Sequence, residues 1–175
     1  LFRSADIRGG TWITVGDLAV GGSGTGSLSV SGSGVVVVTG TLVRGVSGTV
    51  AVGLGGTLRL GDGLGGARLI GGLSNNGTVV ADVGASSTFD GGMTGSGGLV
   101  KRGPGTLSLA GASTWSGPTD VVAGTLELAV GSAAAASVMT VSDGALAMIA
   151  PCVEAGVAGL ELAPAACVDV TSGKI

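Results

Sequence analysis

The feature that most constrains this chain is a short unit that keeps returning: a glycine, a small or polar residue, then an apolar strand whose side chains alternate. Nine copies are legible. They are Gly16-Asp17-Leu18-Ala19-Val20, Gly26-Ser27-Leu28-Ser29-Val30, Gly40-Thr41-Leu42-Val43, Gly48-Thr49-Val50-Ala51-Val52, Gly56-Thr57-Leu58-Arg59-Leu60, Gly77-Thr78-Val79-Val80-Ala81, Gly105-Thr106-Leu107-Ser108-Leu109, Gly124-Thr125-Leu126-Glu127-Leu128 and Gly144-Ala145-Leu146-Ala147-Met148. In most copies the apolar residues sit two apart, as Leu107 and Leu109 do, while Ser108 or Glu127 takes the other phase. That is the period of a strand with one buried face.

The copies at Gly105, Gly124 and Gly144 recur at steps of 19 and 20, and several earlier ones at steps of 8 to 10. A coil of about 20 residues, with two or three short strands per turn, accounts for both spacings. Each coil then buries its inward Leu and Val against the coils above and below, which none could do alone. The expected fold is all-β, a parallel β-helix (β-solenoid) of about nine coils, a rod about 40 Å long at a strand spacing of ~4.8 Å. Glycines are expected at corners, where positive φ is needed. The competing architecture, a hairpin sandwich, needs tight two-residue turns, and only Asn75-Asn76-Gly77 offers one.

Composition narrows the classes. Gly is 38 of 175 residues, yet 45% of the chain is hydrophobic, so it folds rather than staying disordered. With two Phe, two Trp and no Tyr, the core must be stacked aliphatics. Charged residues are 11% and the net charge is −3, leaving no basic stripe, so nucleic acid is not an expected partner. No apolar run reaches the roughly 18 residues of a membrane helix, and no membrane insertion by this segment is expected. The chain begins at Leu1 without a charged-then-apolar leader and reads as a mature or excised piece of a longer precursor. The expected domain is one: a solenoid over 1–149 and an irregular terminal coil or cap over 150–175, where the strand signal weakens to Ala, Pro and Cys. Ala133 to Ala136 reads as a coil corner or a short helical turn.

From Gly97 to Leu128 the residues form a denser pattern: Gly97, Gly98, Leu99, Lys101, Gly103, Gly105, Thr106, Leu107, Leu109, Gly111, Thr114, Trp115, Gly117, Thr119, Val121, Ala123, Gly124, Thr125, Leu126 and Leu128. This stretch resembles the autotransporter-associated β-strand repeat of bacterial autotransporter passenger domains. It departs from that pattern at Ser113 for Asn, Trp115 for Tyr and Ser116 for Thr. Ser113 puts in doubt a side-chain ladder or turn bond at that corner. The resemblance implies a right-handed parallel β-helix on, or shed from, a bacterial cell surface, with these residues structural. It implies no particular activity.

The chain has no His, which removes the usual general base and the commonest metal ligand. Lys101 and Lys174 sit beside Gly-rich turns with nothing in the sequence to bury them, so Ser-Lys chemistry is not expected. Paired carboxylates are the better enzymatic alternative, with Asp62, Asp82, Asp90 and Asp120 as candidates for polysaccharide cleavage. The interval from Asp62 to Asp82 matches one coil and would stack them on adjacent turns. Solvated turn aspartates are the plainer reading, and no catalytic residue, cofactor or metal is expected. Cys152 and Cys167 are expected to form a disulfide closing an irregular loop, as a pair in a secreted chain usually does.

The functional expectation is therefore an extracellular structural or adhesive solenoid, a passenger-like stalk of a bacterial surface protein and not an enzyme. The alternative is a subunit of a surface filament stacked end to end, since solenoid ends are strand edges. A polysaccharide-active β-helix enzyme is a lesser one. Expected partners are copies of itself or the rest of a longer chain through the solenoid ends, with surface polysaccharide or a host surface as further candidates.

Overall fold

The computed structural model describes residues 4–129, 138–149, 159–164 and 167–170, which form twenty-two strands. The first coil holds β1 (Ser4–Ile7), β2 (Thr11–Thr14) and β3 (Leu18–Val20), and the second β4 (Gly26–Val30), β5 (Val35–Val38) and β6 (Thr41–Arg44). The third holds β7 (Gly48–Val52), β8 (Thr57–Leu60) and β9 (Arg68–Ile70), and the fourth β10 (Leu73–Asn75), β11 (Thr78–Asp82) and β12 (Ser87–Phe89). The fifth holds β13 (Met93–Gly95), β14 (Gly98–Arg102) and β15 (Thr106–Leu109), and the sixth β16 (Thr114–Trp115), β17 (Thr119–Val121) and β18 (Thr125–Leu128). Beyond them come β19 (Val138–Val141), β20 (Leu146–Ile149), β21 (Gly159–Leu162) and β22 (Cys167–Val170).

Three strands per coil make three faces. β1, β4, β7, β10, β13 and β16 form the first; β2, β5, β8, β11, β14, β17, β19 and β21 the second; β3, β6, β9, β12, β15, β18, β20 and β22 the third. Every pairing among these strands is parallel. The fold is a β-solenoid, and the hairpin alternative fails where it was strongest: Asn75 and Gly77 flank a corner between two successive strands of one coil. β21 and β22 carry two faces into the stretch where an irregular cap is expected. Ala133 to Ala136 lies outside the described residues.

The solenoid makes about seven turns rather than nine, because the early coils are longer than those that follow. From the fourth coil the register is nearly even: Thr78 stands opposite Gly98, Leu99 opposite Thr119 and Thr119 opposite Met139, steps of 20, while Thr106 opposite Thr125 is a step of 19 and Thr125 opposite Leu146 one of 21. Earlier, Ser4 lies opposite Ser27, a step of 23, and Thr41 opposite Arg68, a step of 27. The longest step contains the loop from Gly61 to Ala67, which joins β8 to β9, whereas only Gly103, Pro104 and Gly105 join β14 to β15.

Inward residues stack in columns. On the third face Leu18, Leu42, Leu69, Phe89, Leu109 and Leu128 lie one above another, and on the second Val36, Leu58, Val79 and Leu99 do so, all buried. Each contributes on the order of 1.5–3 kcal/mol by leaving water. The nine copies of the sequence unit fall on all three faces: β4 and β7 on the first, β8 and β11 on the second, and β3, β6, β15, β18 and β20 on the third. The unit is thus a strand with its preceding corner, not a coil.

Corner glycines answer to two needs. Gly124 has a φ of 70°, as expected for a corner. Gly117 does not adopt positive φ; a Cβ there would run into the backbone of Ser96 and Gly97 in the coil below. Gly117→Ala is expected to destabilise the fold by about 1–3 kcal/mol or more, as overpacking does. Gly24→Ala, where a Cβ meets nothing within 4 Å and φ is ordinary, should stay within about 0.5 kcal/mol of the parent. Urea melts of the two variants check this; equal losses would remove close approach as the cause.

Candidate functional site

The interior is not wholly apolar. Asn75, Ser87, Lys101, Ser113 and Thr119 occupy inward positions and are buried, and all five lie on the fifth and sixth coils or face them. Each finds a partner, as a buried polar group must. The Asn75 amide donates to the Gly98 carbonyl at 2.9 Å and its oxygen accepts the Gly77 N–H at 3.1 Å. Ser87 Oγ accepts the Ala67 N–H from the coil below at 3.0 Å and donates to the Ala85 carbonyl at 3.2 Å. Ser113 repeats that arrangement one coil pair along, accepting from Met93 at 3.0 Å and donating to Gly111 at 3.1 Å. The bond that Ser113 put in doubt is therefore made by serine itself. Trp115, fully buried, donates its indole N–H to Thr119 Oγ1 at 3.0 Å.

Lys101 overturns the expectation of an exposed lysine. It shares the inward phase of β14 with Leu99 and is 0% exposed. Its ammonium donates to the carbonyls of Arg102 and Gly103 at 2.8 Å each, and to that of Ala123 in the next coil at 2.9 Å. Burial pushes its pKa down to about 8, while the Asp82 carboxylate pulls the other way. All three N–H groups are committed to backbone, which leaves no role as a serine's base.

The four candidate acids do not converge. Asp82 accepts from Arg59 at 2.7 Å, and Asp90 accepts from Arg68 at 2.6 Å. These two lie on different faces, the second and the edge of the third. Leu60 stands opposite Ala81, so Asp82 lies opposite Gly61 and Asp62 falls one position further on rather than over it. Asp62 instead accepts the N–H groups of Leu64 at 3.0 Å and Gly65 at 3.4 Å, which hold its carboxyl below the usual range. Asp120 stands between Val100 and Thr140 on the second face.

Cys167 lies on β22, but Cys152 and the thiol of Cys167 are outside the described residues, as is Lys174. The outward first face is a field of hydroxyls. Ser27 and Thr49 form one column, and Ser29, Ala51, Ser74, Thr94 and Thr114 another. A shallow trough crosses it, lined by Arg44, Thr49, Ala51, Leu73, Ser74 and Thr94 among others.

A family model described as a passenger-associated-transport-repeat matches residues 99–128. The match runs from β14 through β18, five consecutive strands that cross all three faces. No curated protein and no solved structure matches the chain.

The depressed Lys101 pKa fixes a sign. An unfolded lysine ionises near 10.4, so between about pH 8 and 10.4 the unfolded chain binds the extra proton and stability rises with pH. Below pH 8 both states hold the proton and the contribution is flat. Wild-type protein should gain roughly 3 kcal/mol across that window, and Lys101→Met should remove that part of the slope, as denaturant titrations at closely spaced pH values would record.

Proposed function

We propose that this chain is a non-catalytic stretch of passenger-like stalk from a bacterial surface protein, working outside the cell. The observation that carries the reading is the repeat match at residues 99–128, built in register into a solenoid whose second and third faces continue on both sides of it. A stalk needs stiffness along its axis, and coils tied by backbone ladders supply it. The separated acids, two of them held by arginines, give no pair for glycoside cleavage. The hydroxyl columns of the first face suit weak, uncharged contact with surface polysaccharide.

A second reading, solenoids stacked end to end, has its own support. β1, β2 and β3 each pair on one side only among the described strands. Their inward Ala5, Ile7 and Trp12 are only partly buried, whereas the same columns one coil on, at Leu28, Val30 and Val36, are closed. A further coil of the same kind, from a longer chain or another copy, is the occupant that fits.

Cells that make the protein from its own gene test the principal reading. With a short epitope inserted after Val46, which is fully exposed at the corner between β6 and β7, antibody should label intact cells and external protease should abolish the signal. Labelling only after lysis would overturn it. Electron microscopy of the purified chain then separates the two readings, since isolated short rods support the stalk and long filaments the stacked assembly.

A further inference from the structure

The most unusual chemistry in the molecule is the trio of carbonyls around Lys101. Arg102 and Gly103 contribute two oxygens from the fifth coil and Ala123 a third from the sixth, all within 2.9 Å of one nitrogen. The Arg102 carbonyl also accepts the Val83 N–H of the fourth coil at 3.1 Å, so three successive coils meet at this corner. The oxygens are uncharged backbone groups, and the nearest acid that acts on the lysine, Asp82, is held by Arg59. Three neutral oxygens offset part of the cost of burying one positive charge, a cost that holds the lysine's pKa down to about 8, and they do not neutralise two charges, which favours a monovalent cation over calcium or magnesium.

We infer that the corner joining the fifth and sixth coils is a binding site for a monovalent cation of ammonium type, and that Lys101 fills it with its own side chain. No other residue of that column is charged: Thr14, Val38, Leu60 and Ala81 lie on one side of Lys101, and Val121, Val141 and Leu162 on the other. The cation therefore marks one corner of the solenoid and joins the two coils that the repeat match spans. The ammonium bonds the carbonyls of Gly103 and Ala123 at the turn and shares that of Arg102 with the Val83 N–H. Truncating the side chain leaves the oxygens converging on an empty space with the reach of a short alkylammonium ion.

Chemical rescue tests this on the full chain. Lys101→Ala is expected to lower Tm by roughly 5–10 °C. Millimolar ethylammonium should recover much of the loss, with ethanol at the same concentration inert. Lys101→Met, which fills the stem but brings no charge, should melt below wild type and gain nothing from ethylammonium, and wild type should not respond either. Equal shifts of all three proteins by ethylammonium, or a Met variant as stable as wild type, would overturn the inference. Should the Ala variant fail to fold, nitrogen-15 NMR of the wild-type lysine ammonium groups decides: Lys101 Nζ protons in slow exchange at neutral pH support the cage, and exchange as fast as that of a free lysine refutes it.

Discussion

Everything in this fold hangs on how closely one turn of backbone lies over the next. Parallel strands set that spacing at ~4.8 Å, and the hydrogen bonds do not stop at the strand ends. At the corners Ser116 donates to Gly95 at 2.9 Å, Gly98 to Gly77 at 3.0 Å and Leu146 to Gly124 at 2.9 Å. The corners are thus held as near to one another as the strands are, and a Cβ at Gly92, Gly105 or Gly117 would meet a carbonyl of the adjoining coil. The same spacing places like side chain over like, which is why columns of leucine and valine make a core with few large aromatics.

That closeness also explains the polar interior. A corner turns the chain through a bend where some N–H and C=O groups miss the ladder and need another partner. Ser87, Ser113, Asn75 and Lys101 each meet such groups, two serines accepting an N–H and the amide and ammonium donating to carbonyls. Within residues 99–128 every described buried side-chain nitrogen and oxygen is satisfied, whereas Nε of Arg44 and of Arg59, on the longer early coils, is buried without a partner.

The candidate acids lie on different faces or bond to arginines and turn N–H groups. The outward first face carries columns of serine and threonine, while large aliphatics such as Val15, Val46, Leu54 and Leu64 stand exposed at corners. Among the described strands β1, β2 and β3 each pair on one side only.

The period of two and the recurring glycine made the β class and the coil stacking legible, because a half-buried strand cannot hide its alternation. The pattern from Gly97 to Leu128 was equally legible, since each position has one steric demand. Lys101 could have been placed inside by phase, two positions from Leu99 on the same strand, but its charge argued the other way and only the three carbonyls reconcile the two. The number of turns and the face of each strand were beyond the sequence: the same Gly-Thr-Leu unit serves more than one face, and loops such as that from Gly61 to Ala67 lengthen a coil without changing its strands. What the sequence determined by itself was which residues alternate, a local property of the extended chain. Which alternating strand lies over which, and so which polar groups meet at a corner, only the stacked structure decided, because those contacts join residues a full coil apart that no local pattern relates.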